Sequence, residues 1–298
     1  MESFELNTEN LEFFDFKSQI HNIFDENGYI VFLLDRTLKD YVFDEWINDV
    51  KKKNIEFIPF GISRSEPHLF FLLIDNKAEL EKRVDEFSEY LKSNLIEKSN
   101  EFYLYGFGVI NDDLSIIANK FKKKLKLADS ENTFLFRWYD PRVAVYLHTI
   151  FESERVNDLF SIFKFWVFTH SSGIYTYKND KSKKSFFRKI GLKESKKLDL
   201  IEISNFIFFN LINNMEEIDH LEIFKSLQMA VNEKGLSQYK DIYLYGHYSC
   251  VIGQNFLDHD ILKNKRQQYE SFEKLIESVL DEEWLKIKND LGRVNYVN

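Results

Sequence analysis

The sequence predicts an α/β or α+β protein of two lobes: an N-terminal α/β lobe with a mostly parallel or mixed sheet, and an all-α C-terminal lobe. Three observations lead there. Between residues 28 and 151, short apolar runs alternate with segments whose apolar residues recur every three or four positions, the pattern of strands alternating with helices. From Leu198 onward every apolar pattern is helical. Between the two stretches the texture changes to a Lys/Ser run at 178–197. The predicted boundaries are therefore 1–177 for the α/β lobe, 178–197 for a basic linker or flexible loop, and 198–298 for the helical lobe.

The elements follow in order. Residues 9–26 carry Leu11, Phe13, Phe14, Ile20, Ile23 and Phe24 among acids at roughly helical spacing, and Gly28 stops the helix. Tyr29 to Leu34 reads as a buried strand ending at Asp35. A short helix over Asp40–Val50, a strand over Ile55–Pro59 and a buried-type strand over Leu69–Ile74 come next. Asn76 suits the N-cap of a helix to about Ser93. Phe102–Ile110 is a strand containing Gly106 and Gly108, for which a bulge or a close backbone approach is expected. A helix from Leu114 to Leu125, a strand over Thr133–Tyr139, a helix from Pro141 through Phe151 and two strands around Ser171-Ser172-Gly173 complete the lobe. Helices are predicted near 204–215, 217–234, 236–256 and 266–290, with Gly235 between two of them.

Composition narrows the function classes. The 298 residues include 30 Phe and 15 Tyr but only 10 Gly and 3 Pro, which favours long regular elements around filled cores. Cys250 is the single cysteine, so no disulfide or thiolate cluster can form within the chain. The N-terminus, Met1-Glu2-Ser3-Phe4-Glu5, is acidic where a secretory signal is basic. The most apolar stretches are too short to span a bilayer, so a cytoplasmic protein without membrane insertion is expected. The net charge of −9 is unsuited to general nucleic-acid binding. It is uneven: residues 1–50 hold twelve Asp/Glu against three Lys/Arg, while 178–197 holds nine Lys/Arg against two acids.

Catalytic patterns are sparse. Seven scattered histidines show no zinc-type i, i+4 pair, and Gly106-Phe107-Gly108 lacks the third glycine of a dinucleotide loop. Leu257-Asp258-His259-Asp260 reads as a solvated turn, since adjacent ligands face different ways. No cofactor and no catalytic residues are expected. An enzyme acting on nucleic acid or a phosphorylated ligand through the basic 178–197 segment stands as the alternative to a binding protein.

The distinctive stretch is Phe136-Arg137-Trp138-Tyr139-Asp140-Pro141-Arg142. On a strand, Phe136 and Trp138 face one side, Arg137 and Tyr139 the other. Asp140 suits an N-cap and Pro141 the first helical position. An arginine inside a covered strand needs a partner, and Asp140 or Asp35 is the natural one. A structural ion pair is the favoured reading over a catalytic arginine.

With this motif the chain resembles the adaptor chaperones of bacterial type VI secretion, of the Tap/TEC kind. Leu34-Asp35 closing the first strand, Glu66-Pro67-His68-Leu69 leading into another, and Phe165-Trp166 after the motif helix add to the resemblance, which covers about residues 28–170 and, loosely, 198–262. Trp138 stands where Phe or Tyr is commoner. The resemblance implies a non-enzymatic protein that binds a cognate toxic effector in the cytoplasm and helps load it onto the VgrG spike. Trp166, Tyr243, Tyr245 and Phe256 are the candidate partner-binding aromatics.

Overall fold

The computed structural model describes residues 4–7, 14–35, 57–60, 69–96, 102–179, 189–212 and 218–291. The helix expected over Asp40–Val50 and residues 180–188 of the basic run lie outside them. The chain divides into two compact units, Met1–Glu194 and Ser195–Asn298.

The first unit opens with strand β1 (Phe4–Asn7) and helix α1 (Phe16–Asn27). Asp15 caps α1, its carboxylate accepting from the Ser18 N–H at 3.0 Å, and Gly28 ends it in the left-handed conformation. Then come β2 (Ile30–Asp35), β3 (Phe57–Phe60) and β4 (Leu69–Ile74). The helix capped by Asn76 is two helices, α2 (Lys77–Glu81) and α3 (Val84–Ile96), separated by a turn at Lys82-Arg83. Strand β5 (Leu104–Ile110) and helix α4 (Leu114–Lys124) follow, then a small hairpin of β6 (Lys126–Ala128) and β7 (Thr133–Leu135). Three short helices, α5 (Pro141–Ala144), α6 (Leu147–Ile150) and α7 (Ser153–Phe160), lead to β8 (Phe163–His170) and β9 (Gly173–Lys178).

Seven strands form one sheet in the order β1-β9-β8-β5-β2-β4-β3. The architecture is mixed α/β, but every pairing between neighbouring strands is antiparallel, which corrects the expected parallel or mixed sheet. The reason lies in strand order. β4 and β5 both run antiparallel to β2, so they are parallel to each other, and α2–α3 form the helical crossover that the alternation suggested. Yet β2 is inserted between them, so the crossover passes over a strand and no adjacent pair is parallel.

All six residues of β2 are buried, because both faces of the sheet are covered. Ile30, Phe32 and Leu34 join Ile20, Phe24, Phe87 and Leu91 of α1 and α3 in one core. Phe71 meets Phe121 of α4 edge-on at 5.2 Å in the core on the other face. Gly106 and Gly108 allow β8 to lie close. A Cβ on Gly108 would fall 2.1 Å from the Phe165 carbonyl oxygen, and one on Gly106 2.8 Å from the Trp166 ring. The expected close approach is there, and a bulge accompanies it: Leu33 pairs with Gly106 and Leu34 with Leu104, leaving Tyr105 as the extra residue.

Helix α8 (Leu192–Leu211) begins inside the segment expected to be a linker, six residues before the predicted lobe boundary. Glu194 accepts from the Gly191 N–H at 2.8 Å and pairs with Arg155 at 2.6 Å, so the helix start is fastened from both sides. Upstream, the Ile190 N–H donates to the Ala128 carbonyl at 2.9 Å. Within the second unit follow α9 (His220–Asn232), α10 (Tyr239–Val251), a 3-10 turn (Phe256–Asp258), α11 (Asp260–Arg266), α12 (Phe272–Glu277) and α13 (Asp281–Asp290). Of the single helix expected over 266–290, residues 267–271 are not helical and a second break falls at residues 278–280. There the Ser278 hydroxyl donates to the Leu275 carbonyl at 2.7 Å and Glu283 accepts from the Leu280 N–H at 2.9 Å, closing one helix and opening the next.

Candidate functional site

The motif does not continue a strand, contrary to expectation. β7 ends at Leu135, and the Asp140 N–H donates to the Arg137 carbonyl at 3.0 Å, closing a tight turn over residues 137–140. Alternation therefore fails. Trp138 and Tyr139, expected on opposite faces, are both buried in one aromatic core, where Phe121 lies 5.0 Å from Trp138 and 5.1 Å from Tyr139. Phe136 is also buried, edge-on to Phe151 at 5.9 Å. Asp140 caps α5 and Pro141 occupies its first turn. The helix expected through Phe151 stops at Ala144 and restarts at Leu147.

The turn delivers its charges to the end of β2. Asp35 and Asp140 are each only 2% exposed. The Arg137 Nη2 lies 3.3 Å from the Oδ2 of Asp35 and 3.3 Å from that of Asp140. Arg142 grips Asp140 side-on, Nε to Oδ1 at 2.9 Å and Nη2 to Oδ2 at 2.7 Å, while its own N–H also donates to Oδ1 at 3.0 Å. Tyr105 donates its hydroxyl to Asp35 at 2.6 Å and accepts from Arg137. Two carboxylates thus face two guanidiniums in a charge-balanced cluster. It fastens the end of β2, the start of β5 and the turn after β7. Beside it, Arg142 lies 5.5 Å above the Phe102 ring, which in turn stacks on His170.

The protonation states are held firmly. Burial works against the charge on Arg137, but Asp140 and the surrounding oxygens outweigh it and the guanidinium stays charged. Arg142 is raised likewise, its hydrogen bonds to Asp140 overcoming burial. Burial, then the Asp140 and Asp35 charges, push the Tyr105 hydroxyl far above its ordinary value. Tyr139 is pushed the same way, chiefly by burial. Both phenols are held protonated and both arginines as cations, which suits a fastening role.

Tyr105 and Phe102 are the members that sequence reasoning missed. Tyr105 sits in an apolar strand, and only the bulge between Leu33 and Leu34 turns its hydroxyl towards Asp35. Of the candidate partner-binding aromatics, three are internal. Trp166 stacks on Phe163 at 4.0 Å, and Tyr245 packs on Phe256 at 5.4 Å; each of the three is fully buried. Buried rings cannot form a contact surface, so these assignments are withdrawn. Tyr243 alone is partly exposed, 5.5 Å from the ring of Phe206. The Asp258-His259-Asp260 turn is a helix start: His259 Nδ1 accepts from the Ile261 N–H at 3.3 Å and Nε2 lies 3.1 Å from Asp290.

Among the described residues no group of three His, Cys, Asp or Glu side chains is placed to hold a metal ion, and no helix is long and apolar enough to cross a membrane. Comparison of the chain with protein-family models, with curated proteins and with solved structures finds no match.

Proposed function

We propose that this protein is an adaptor chaperone that binds a cognate effector in the cytoplasm and helps load it onto a VgrG-type spike. The supporting observation is the use made of the Phe136–Arg142 motif. Its arginines and Asp140 close on Asp35 and Tyr105 as a balanced, buried fastening, with phenols and guanidiniums locked in one protonation state. A motif spent on structure leaves it no catalytic task, in keeping with the non-enzymatic role that the resemblance to the type VI adaptors implies. A binding protein of this kind needs a rigid frame and a separate surface for its partner.

The test is co-expression of the full chain with the toxin effector encoded beside its gene, followed by affinity purification of the chain. A stoichiometric complex is expected, and it should also capture the co-encoded spike protein. Failure of every neighbouring effector and spike to co-purify would overturn the adaptor reading.

A further inference from the structure

Phe206 on α8 and Tyr239, Tyr243 and His247 on α10 form one aromatic stripe on the helical unit. The three α10 residues recur at every fourth position and so share a face. The Phe206 ring lies 5.5 Å from Tyr243, and Tyr243 lies 5.9 Å from His247. Gly246 lets α10 lie close against α9 and against the tip of one α8 side chain. A Cβ there would come within 2.4 Å of the Leu227 Cδ2 on α9 and 2.8 Å of the Ile207 Cδ1 on α8. The α10 part of the stripe therefore rests on tight packing against α9, yet Phe206 and Tyr239 are each 53% exposed. Exposed rings scattered singly need no explanation, but a contiguous row on a rigid base marks a contact surface.

The charges around it say what would fit. Glu202 is exposed four residues before Phe206, on the same face of α8. The Tyr239 hydroxyl is raised by partial burial and then by Glu202, which sets that carboxylate near the α10 end of the row. Lys240 turns aside to pair with Glu273. Burial holds the His247 imidazole below its ordinary value, so it adds no positive charge at neutral pH. A carboxylate at an aromatic row repels a phosphate backbone and favours cations. Tyr239 to His247 spans about 12 Å, the length of two helical turns of a ligand.

We propose that this stripe docks an amphipathic helix of the partner protein whose apolar face is flanked by lysine or arginine. The inference rests on the binding-protein reading above and adds the surface and the partner's chemistry.

The probes are two synthetic helical peptides of about 18 residues with identical leucine positions, one flanked by lysines and the other by glutamates, titrated into the full chain by fluorescence anisotropy. The lysine peptide should bind at least about tenfold more tightly. The exposed double substitution Phe206→Ser with Tyr239→Ser should weaken it by about tenfold or more, with the melting temperature unchanged. Glu202→Lys should narrow the difference between the peptides. Equal binding of both peptides, or undiminished binding to the double variant, would overturn the proposal. So would a concentration-dependent dimer that the double variant abolishes, because the occupant would then be a second copy. Co-purification separates this inference from the adaptor reading. An effector retained by the double variant removes only the stripe assignment, whereas lysine-peptide binding with no effector complex removes only the adaptor role.

Discussion

In the N-terminal unit charges are taken inside: Asp35, Asp140, Asp158 and Arg83 are all buried, the first three held in ion pairs. In the helical unit the buried polar residues among those described are Ser204, His220, Ser226 and Ser249, none of them an acid, lysine or arginine. The partners also differ in their distance along the chain. Arg137 reaches Asp35 across 102 positions and Tyr105 reaches it across 70, whereas the Tyr245 hydroxyl finds the Gln254 carbonyl nine residues on. The contrast teaches what each unit has to specify. A sheet with non-sequential strand order must select remote segments against many near-equivalent apolar pairings, and a directional ionic cluster does that. The helical unit's charged pairs, such as Lys240 with Glu273 across 33 positions and His259 with Asp290 across 31, lie at the surface and reach less far. Local pattern and close packing therefore do more of the selecting there.

The largest effect that would sharpen this contrast concerns Lys124 and Asp158, paired at 3.1 Å with side-chain exposures of 7% and 6%. Lys124→Met leaves a buried carboxylate without its cation and should cost about 4 kcal/mol in urea unfolding near neutral pH. Burial already raises the Asp158 carboxyl, with Lys124 opposing it. Losing Lys124 raises it further, so the folded variant holds a proton that the unfolded chain releases. Its stability should therefore recover as pH falls towards the acid range and worsen as pH rises. A deficit that does not vary with pH would show that the pair contributes only packing.

Next is Gly108→Ala, whose Cβ would meet the Phe165 carbonyl in the middle of the sheet. Moving β5 from β8 should cost about 3 kcal/mol. Gly246→Ala meets flexible side-chain ends and should cost less, about 1 kcal/mol. Equal penalties would break the distinction between a sheet fixed by backbone approach and a helical crossing that can adjust.

Arg137→Ala should lower stability by about 2 kcal/mol, below the full buried-pair range because the side chain is 38% exposed and Arg142 and Tyr105 still serve the two carboxylates. Thermal melting checks it; an unchanged melting temperature would free Arg137 for a direct binding role.

The helical unit has its own weak point in acid. His220 is buried, and burial holds its pKa down to about 4, with Asp219 pulling the other way. The unfolded chain binds this proton near pH 6.5 and the folded chain only near 4, so stability is full above that window and is lost as pH falls through it. The loss should reach about 2 kcal/mol between pH 7 and pH 5. His220→Gln should flatten the slope, read from Trp284 fluorescence in this unit. An unaltered slope would place the acid sensitivity elsewhere.

Local chemistry made many of these elements legible in the sequence. Asn76 and Asp140 cap helices as their places in the sequence suggested, because short polar side chains satisfy free N–H groups wherever they stand. The buried strands at 30–35 and 69–74 show as continuous apolar runs because both sheet faces are covered. The pairing of Arg137 with Asp35 or Asp140 was likewise foreseeable, since a buried guanidinium needs a carboxylate. What only the tertiary structure decided depends on strand order and register, which no local pattern encodes. Inserting β2 between β4 and β5 kept the two parallel strands joined by the helical crossover from pairing. The one-residue bulge at Tyr105 brought a hydroxyl into the ionic cluster, and the turn at 137–140 sent Trp138 and Tyr139 into one core. Trp166, Tyr245 and Phe256 look like contact residues in one dimension, but their surroundings come from segments scattered along the chain, and those segments bury them.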